Sequence, residues 1–375
     1  MKTILVGSLP PPLTGQTIAF QVAWEGLQDN KIPSRVINLS GGRHLTLEGG
    51  FSMQRLGHLF KPFCKATLLL FGEKTLYLSA TQNWIGFLRD SVFILLAAAG
   101  RQRIVLHAHW GNFAGYYASL SPPQRFLVRW VLRRVDCILV LGESHRAMFD
   151  FDPPLAGKTK VVYNGLPYCK DETPLRPKRL PRSRPKLLFL SNLVLSKGYL
   201  QVLETLRILV HERRIDAECH FCGSFVLESG GSPYSTTEDA ESDFLLRIRQ
   251  ADLAGNVHWH GPVDGATKLR ILQQSHFFLL PTRLLEGQPI SIIEALAFGL
   301  VVITTATPGI DEMVEGGRFG ELVPFDQPHQ FSRVIESYVM DPARFEAMSR
   351  ASIDRYLTTF TREQHLKRLI PLILG

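Results

Sequence analysis

The stretch Phe277–Gly299, FFLLPTRLLEGQPISIIEALAFG, decides how this chain folds. Its opening residues are all apolar, as expected for a buried strand, and a turn that contains glycine follows. Proline suits the first position of a helix, so Pro289 is predicted to start a helix that buries the apolar side chains after it. The segment therefore predicts a strand, a turn and a helix, the repeating unit of an α/β fold.

The turn in this stretch has the chemistry of an anion site. A helix N-terminus presents unpaired backbone N–H groups that favour a phosphate or diphosphate, and Gly287 lets the backbone approach it closely. Two carboxylates, Glu286 and Glu294, flank the turn. They are suited to accept hydrogen bonds from neutral hydroxyls rather than to bind an anion, so a sugar nucleotide is the predicted ligand. Ordinary exposed glutamates, one in a loop and one on a helix, are the alternative.

Length and composition limit the possible classes of protein. The chain has 375 residues, which suits two domains, and 45% hydrophobic with 20% charged residues is typical of a soluble globular chain. The formal net charge of +8 is compatible with an anionic partner. Because the sequence shows no nucleic-acid-binding motif, we expect no nucleic acid among the partners.

The sequence predicts a cytoplasmic protein. The apolar run Thr3–Gly7 soon meets three prolines, so it is predicted to be a strand rather than a signal peptide. The apolar segment Phe87–Gly100 is interrupted by Arg89 and Asp90 and is shorter than a membrane span requires. Five cysteines without regular spacing fit a reducing compartment.

Short apolar strand patterns alternate with helix patterns along the whole chain, which favours two α/β domains with mainly parallel sheets. We place the first domain at 1–169 and the second at 186–360. The segment 170–185 is basic, rich in proline and without apolar periodicity, so it is predicted to be the linker. The Ser/Gly/Thr-rich stretch 227–243 is predicted to be a loop or insertion.

The second half resembles a known enzyme family. Glu286, seven residues and Glu294, continued by Val301–Thr305 and Gly309–Val323, resemble the C-terminal signature of the retaining family 4 glycosyltransferases. The resemblance covers nearly the whole chain and implies the GT-B fold, in which two Rossmann-like domains face a central cleft. By the same analogy, the last helix, 361–375, is expected to cross back and pack on the first domain.

The resemblance also implies roles for residues of the second domain, which would bind the nucleotide sugar. Glu294 is expected to bind the ribose hydroxyls, Glu286 the sugar hydroxyls, and Lys197 the diphosphate. The backbone expected to contact the diphosphate is that of Gly287, Gln288, Pro289 and Ile290. Family members commonly carry an arginine where this chain has Asn192, whose amide can bind phosphate or sugar oxygens but supplies no charge. A solvated loop lysine is the alternative for Lys197.

The resemblance implies that the first domain binds the acceptor and that two of its residues lie near the reacting sugar carbon. In the resembled family, the glycine-bearing loop that here contains Gly15 reaches the donor phosphates and the acceptor, although a second glycine often stands where this chain has Gln16. His109 lies just beyond the end of a strand, where a histidine of that family approaches the donor sugar, whereas His107 is predicted to face the core. The alternatives are an ordinary turn capped by Thr14 and a structural histidine.

No metal ion or other cofactor is expected. The stretch Asp150-Phe151-Asp152 has the spacing of a metal-binding DxD pair, but it follows a helix pattern and precedes two prolines, so it is predicted to be a surface turn. Lys197 and the helix N-terminus supply the positive charge that a departing diphosphate requires. The donor is expected to be a UDP- or GDP-linked sugar.

A basic helix pattern in the first domain points to a second kind of partner. Arg125, Arg129 and Arg133 line one face at intervals of four, beside Phe126 and Trp130. Such a helix suits peripheral contact with an anionic membrane, here the inner face of the plasma membrane, and would fit a lipid-linked acceptor. A core-packing helix with a solvated basic side is the alternative.

Together these patterns and the resemblance predict a metal-independent, retaining glycosyltransferase of the hexosyltransferase type. It would transfer a sugar from a nucleotide-diphosphate sugar to a saccharide or lipid-linked saccharide, in bacterial surface polysaccharide or lipopolysaccharide biosynthesis. Glu286, His109 and Lys197 are the predicted catalytic residues. Two alternatives stay open: a sugar-nucleotide epimerase of the same fold, which would act without an acceptor, and a non-catalytic basic binding module.

Overall fold

The structure is a computed structural model that describes residues 2–11, 14–40, 67, 71, 74–166, 176–181, 184–228 and 231–375. The chain forms two compact units. The first comprises Met1–Pro167 and Thr361–Gly375, and the second comprises Tyr168–Phe360. Each unit is built on a parallel β-sheet with helices, which confirms the predicted α/β fold of two Rossmann-like domains.

The first unit contains a sheet of six strands within its described residues. The strands are β1 (Lys2–Gly7), β2 (Ser34–Asn38), β3 (Lys74–Ser79), β4 (Arg103–His107), β5 (Cys137–Val140) and β6 (Thr159–Val161). They are parallel, in the order β2-β1-β3-β4-β5-β6. The described helices before the linker are α1 (Gly15–Asp29), α2 (Trp84–Ala99), α3 (Phe113–Ser119), α4 (Pro122–Leu132) and α5 (Pro153–Ala156). The central strands are buried, as their continuous apolar sequences predict for a parallel sheet that is covered on both faces.

The second unit repeats this plan. Its described strands are β7 (Lys186–Leu190), β8 (Glu218–Cys222), β9 (Val257–Trp259), β10 (Phe277–Leu280), β11 (Val301–Thr304) and β12 (Glu321–Leu322). They are parallel, in the order β12-β11-β10-β7-β8-β9. Its described α-helices are α6 (Tyr199–Arg207), α7 (Thr237–Gln250), α8 (Gly265–Gln274), α9 (Ile290–Ala297), α10 (Pro308–Val314), α11 (Pro328–Met340) and α12 (Pro342–Arg355).

Both sheets reverse their strand order beside the first strand. Strand β1 lies between β2 and β3, and strand β7 lies between β8 and β10. In α/β proteins, ligands bind at the carboxyl ends of the strands where the order reverses, because the loops there leave a crevice. The strand order therefore favours ligand binding at the loops after β7 and β10 in the second unit.

The last helix, α13 (Arg362–Leu374), belongs to the first unit, as predicted. Its Leu369 and Ile373 are fully buried in the core of that unit. A Cβ on Gly26 of α1 would lie 2.2 Å from Cδ2 of Leu366. The two helices therefore approach each other through a glycine.

Two strands have no clear signal in the sequence, and one helix starts where a loop was predicted. Strands β2 and β12 were not predicted, because both are edge strands with polar residues and little apolar patterning. Helix α7 begins at Thr237, within the stretch 227–243 that was predicted to be a loop. There Thr236 and Asp239 form a capping box, so polar and acidic residues that suggested a loop instead start a helix. Residues 229–230 of that stretch lie outside the described residues.

The described part of the predicted linker lies against the second unit. The ammonium of Lys178 donates to the carbonyl oxygens of Leu272, Gln273 and Ser275 at 2.8, 2.7 and 2.6 Å. Three donors thus match carbonyls that the C-terminal end of α8 leaves without helical partners. Residues 170–175 and 182–183 of the predicted linker lie outside the described residues.

Candidate functional site

The loops after β7 and β10 are held together by a close backbone contact. After β7 the chain makes a 3-10 turn, Leu195–Lys197, and reaches Gly198 with a φ of 77°. A Cβ on Gly198 would lie 2.1 Å from the carbonyl oxygen of Pro281, so a larger residue would displace one of the loops. The backbone N–H of Arg283 also donates to the carbonyl oxygen of Ser196 at 2.9 Å. The two loops therefore form one corner at the carboxyl edge of the sheet.

Lys197 and Glu286 meet at this corner. The ammonium nitrogen of Lys197 lies 3.0 Å from Oε1 of Glu286, and their side chains are 23% and 18% exposed. The structure thus brings together the cation that was predicted for the diphosphate and the carboxylate that was predicted for the sugar hydroxyls. An ammonium can approach phosphate oxygens, and a carboxylate can accept from hydroxyls. Their mutual attraction holds both charges at the edge of the sheet.

Helix α9 begins directly after this corner. Its N-cap is Pro289, with φ of −58° and ψ of 115°, and its first helical residue is Ile290. The prediction that Pro289 takes the first helical position is therefore wrong by one residue, because the ψ of Pro289 is extended. The N-cap Pro289 makes no side-chain cap hydrogen bond. With Gly287 and Gln288 buried beside it, the first turn of α9 has the uncapped N–H groups that an anion site requires.

Glu294 lies inside α9 and is 4% exposed. Its Oε1 accepts a hydrogen bond from the ammonium of Lys268 at 2.6 Å. The sequence analysis did not identify Lys268, which lies on the neighbouring helix α8. One sequence signal could have identified Lys268. Helix N-termini favour acidic residues, yet this helix has a lysine near its start and no acidic residue in its first turn.

Asn192 lies in the loop after β7 with an exposed side chain. The loop after β8 packs against its backbone, since a Cβ on Gly223 would lie 2.0 Å from the carbonyl oxygen of Ser191. Glu228 accepts from the backbone N–H of Ser196 at 2.8 Å and so holds the following turn. Asn192 thus stays at the edge of the sheet that bears Lys197, and its function as a neutral replacement for arginine stays a prediction.

In the first unit, helix α1 starts with a capping box. Thr14 accepts from the backbone N–H of Thr17 at 3.2 Å, and the Thr17 hydroxyl accepts from the backbone N–H of Thr14 at 2.9 Å. Gly15 is the first, exposed residue of this helix. The side chain of Gln16 donates to the hydroxyl of Ser79 at 3.0 Å and so joins the loops after β1 and β3. The cap satisfies part of the helix start, and phosphate contact at Gly15 stays a prediction.

His109, which follows β4, belongs to a cluster of three histidines. Its ring centroid lies 4.1 Å from that of His107, which is buried as predicted, and His107 lies 6.5 Å from His365 of α13. Nδ1 of His107 is 2.6 Å from the hydroxyl of Tyr77, and Nδ1 of His365 is 2.7 Å from the carbonyl oxygen of Tyr163. The sequence analysis missed His365, because it lies far along the chain.

Burial sets the charge of this cluster. Burial, with a smaller contribution from His365, lowers the pKa of His109 to about 3. Burial also lowers the pKa of His107, and it lowers that of His365 to about 4. All three rings are therefore neutral near pH 7. Both ring nitrogens of His109 are shielded from solvent and have no hydrogen-bond partner among the described residues. A polar substrate atom could satisfy them.

The prediction that Asp150-Phe151-Asp152 forms a surface turn is wrong for Asp152, which is 1% exposed. Its Oδ2 accepts from Arg133 at 2.9 Å, and Arg129 lies 3.5 Å away. The two arginines compensate the buried carboxylate. This aspartate therefore anchors the basic helix α4 to the first unit.

The outer side of α4 is aromatic and basic. Phe126 is 71% exposed and Trp130 is 41% exposed, and the guanidinium of Arg134 lies 3.6 Å from the Trp130 ring centroid. The exposed face therefore differs from that of a helix that packs only into a core. No helix in the described part of the chain is long and apolar enough to cross a bilayer.

Comparison with known proteins agrees with this architecture. Residues 171–355 match the model of the family described as glycosyl transferases group 1. Over 108 residues the chain is 32% identical to the D-rhamnosyltransferase WbpZ of Pseudomonas aeruginosa, an alignment that covers 28% of each protein. This chain therefore spans less than a third of the length of that relative.

Two solved structures are similar over their whole length. HepE of Anabaena, in complex with UDP and glucose, is 15% identical with a TM-score of 0.71, and 98% of each chain is covered. WaaG, a glycosyltransferase involved in lipopolysaccharide biosynthesis, is 13% identical with a TM-score of 0.65 over 100% of each chain. The fold therefore places the chain in the GT-B class. The similarity to the glycosyl transferases group 1 family lies in residues 171–355.

Proposed function

We propose that this protein is a retaining glycosyltransferase that moves a sugar from a nucleotide-diphosphate sugar to a saccharide or lipid-linked saccharide. The observation that carries the proposal is the ion pair of Lys197 and Glu286, 3.0 Å apart beside the uncapped start of α9. The ammonium and the helix start suit a diphosphate, and the carboxylate suits sugar hydroxyls. The match of residues 171–355 to the glycosyl transferases group 1 model supports the same activity.

In the proposed reaction, the bond between the anomeric carbon and the diphosphate oxygen breaks, and the acceptor hydroxyl oxygen bonds to the same face of that carbon. Negative charge builds on the departing diphosphate, where Lys197 and the N–H groups of α9 stabilise it. The acceptor proton passes to the departing oxygen. Because these groups supply the charge stabilisation, the proposed reaction requires neither a strong protein base nor a metal ion.

His109 fits this reaction as a neutral hydrogen-bonding group rather than as an acid. With a pKa of about 3, its ring carries no proton to give at pH 7 beyond that of the neutral tautomer. A neutral imidazole can donate one hydrogen bond and accept another. We assign it to orient a hydroxyl of the transferred sugar, while Gly15 approaches the donor phosphates.

The donor is proposed to be a UDP- or GDP-linked sugar. HepE, which has the same fold, binds UDP and glucose, so a UDP-sugar is the first to test. The setting is proposed to be bacterial surface polysaccharide or lipopolysaccharide assembly in the cytoplasm, since WaaG acts in lipopolysaccharide biosynthesis and WbpZ transfers D-rhamnose.

A lipid-linked acceptor would bring the protein to a membrane, and the outer face of α4 suits that contact. Phe126 and Trp130 expose aromatic surface of the kind that enters the headgroup region, and arginines beside them attract anionic lipids. Arg129 and Arg133 also hold Asp152, so Arg125 and Arg134 supply the unshared charge of this face. We propose that α4 makes peripheral contact with the inner face of the plasma membrane.

The first experiment identifies the donor. Thermal unfolding is followed with UDP, GDP, ADP and their sugars, since a ligand of the folded state raises the midpoint. Transfer to a panel of saccharides is then measured for the wild type, for Glu286→Ala and for Glu363→Ala, an exposed glutamate of α13 that serves as control. We expect Glu286→Ala to lower turnover by about a hundredfold or more and the affinity for the nucleotide by less than about threefold.

Three results would contradict the proposal. Near-normal turnover of Glu286→Ala would remove this residue from the site. An altered sugar nucleotide formed without any acceptor would identify an epimerase. Salt-sensitive RNA binding without nucleotide binding or turnover would identify a basic binding module.

A further inference from the structure

The ion pair of Lys268 and Glu294 joins the starts of two helices at the carboxyl edge of the second sheet. Lys268 is the fourth residue of α8, and Glu294 is the fifth residue of α9. Their atoms Nζ and Oε1 are 2.6 Å apart, and their side chains are 19% and 5% exposed. Helices that follow parallel strands begin at the carboxyl edge, so both charges lie on the side where ligands bind.

Local helix chemistry does not favour this lysine. The N-terminal turns of a helix carry the positive end of the macrodipole and favour acidic residues. Yet the first turn of α8 has no acidic residue, and its N-cap Asp264 makes no side-chain cap hydrogen bond. A lysine that breaks a local rule in this way points to a requirement elsewhere in the structure. Here that requirement is the ion pair with Glu294.

The position of Glu294 in its helix also restricts where its carboxylate can lie. A helical side chain leans toward the N-terminus of its helix, so the Glu294 carboxylate is directed back toward Ile290 and the uncapped helix start. Burying a carboxylate to 4% exposure costs free energy unless a charged partner compensates it. Lys268 supplies that partner. A carboxylate can accept about four hydrogen bonds, so an ion pair on one oxygen is compatible with contacts to hydroxyls.

From this geometry, and resting on the proposed function, we infer that Lys268 is a positioning residue for the nucleotide donor. It holds the carboxylate of Glu294 in the orientation that accepts hydrogen bonds from the ribose. In this way it sets the preference of the enzyme for a ribonucleotide sugar over its deoxyribose analogue. Lys268 itself contacts no donor atom.

The test measures kcat/KM for the preferred nucleotide sugar and for its 2′-deoxy and 3′-deoxy forms. A hydrogen bond to a charged group typically contributes about a ten- to hundredfold preference, so the wild type is expected to favour the ribose form by about that factor. Lys268→Met is expected to lower kcat/KM for the ribose form until the ratio falls below about three, with little change for the deoxy forms. Lys268→Arg is expected to restore most of the ratio, because it keeps the charge.

A second ion pair in the same unit provides the matched control. Lys186 and Glu218 lie 2.8 Å apart with side chains 33% and 10% exposed, on the strands β7 and β8. Lys186→Met is expected to lower the unfolding midpoint as Lys268→Met does, but to keep the ribose preference. Should Lys268→Met fail to fold, Lys268→Gln takes its place, because glutamine keeps a hydrogen-bond donor without the charge. Its ratio of kcat/KM for the ribose form over the deoxy forms is expected to lie between the wild-type ratio and one.

Two outcomes would overturn the inference and can be told apart. If Lys268→Met, or Lys268→Gln in its place, loses stability but keeps the wild-type ratio, the pair is structural and the proposed glycosyl transfer still stands. If the wild type binds no nucleotide sugar in the thermal assay, both the inference and the proposed function are wrong.

Discussion

Replacing Lys197 by alanine removes the cation of the proposed diphosphate site and leaves Glu286 without its ion-pair partner. The two side chains are 23% and 18% exposed, so water screens their charges only in part. A lysine and a phosphate whose charges are about 4 Å apart attract each other by about 4 kcal/mol at an effective dielectric constant of 20. Allowing for the desolvation of both groups, we expect a net loss of about 2 to 4 kcal/mol in the free energy of nucleotide binding. This corresponds to a dissociation constant roughly thirty to several hundred times higher.

The carboxylate of Glu286 provides a second test, because it is expected to weaken the binding of the diphosphate whereas Lys197 strengthens it. In Lys197→Ala the ammonium no longer offsets the negative charge of Glu286, which repels the diphosphate, so adding Glu286→Gln is expected to recover about tenfold of the lost affinity. Glu286→Gln alone is expected to leave the affinity for the nucleoside diphosphate unchanged or higher and to lower turnover. Isothermal titration with UDP and GDP measures all four corners of this double-mutant cycle. Lys160→Ala, an exposed lysine of β6, is the control.

The cycle has a clear refuting result. If Lys197→Ala binds the nucleoside diphosphate as tightly as Lys160→Ala does, the ammonium does not contact the diphosphate. Arg283 would then be the cation to examine, although its exposed side chain, 5.3 Å from the Phe325 ring centroid, is expected to contribute less than about 1 kcal/mol.

Three further predictions concern the loop corner, the histidine cluster and α4. Gly198→Ala is expected to lower the free energy of unfolding by more than about 2 kcal/mol, by denaturant titration, because its φ is 77° and its Cβ would meet a carbonyl oxygen. His365 stays neutral in the folded chain down to about pH 4 but binds a proton near pH 6.5 when unfolded. Stability should therefore fall by up to about 1.4 kcal/mol per pH unit from pH 6.5 to 4, and a His365→Asn variant should show a smaller slope. Trp130→Ser is expected to reduce flotation with anionic vesicles severalfold, by loss of an aromatic ring from the headgroup region.

Each of these predictions has its own control and contrary result. Gly255→Ala, where an added Cβ meets no atom within 4 Å, should leave the free energy of unfolding nearly unchanged. An equal loss of stability in both glycine variants would show that the close contact at Gly198 is not the cause. An unchanged pH slope in His365→Asn would show that this histidine is not the titrating group. Met340→Ser, at a residue 79% exposed in the second unit, controls the vesicle assay. Equal flotation of the Trp130 and Met340 variants would exclude α4 as the membrane contact.

Much of the candidate site could be predicted from local sequence. The turn between β10 and α9 contains Glu286, Gly287 and Pro289 within a few residues, so its chemistry is visible in one short stretch. The error at Pro289 was a single helix position, because sequence indicates a proline near a helix start but not its ψ. Glu294 was identified by its spacing, while its partner was not.

The residues that the sequence could not identify act over long distances along the chain. Lys268 lies on a different helix from Glu294, and His365 reaches the histidines after β4 only because α13 returns to the first unit. Asp152 looked like a surface residue because its neighbours are prolines, but Arg129 and Arg133 reach it from another helix. In each case the deciding contact joins elements that no local pattern connects.

The sequence by itself determined the α/β alternation of elements, apart from the edge strands β2 and β12 and the start of α7, because apolar periodicity and turn residues act within a few residues of each other. Tertiary structure alone decided that β10 pairs with β7 instead of with β9, the strand before it in the chain. Parallel strands offer the same backbone hydrogen bonds to any parallel neighbour, so the choice depends on how the whole core packs. That choice puts the loops after β7 and β10 side by side, and it is the reason that Lys197 and Glu286 meet.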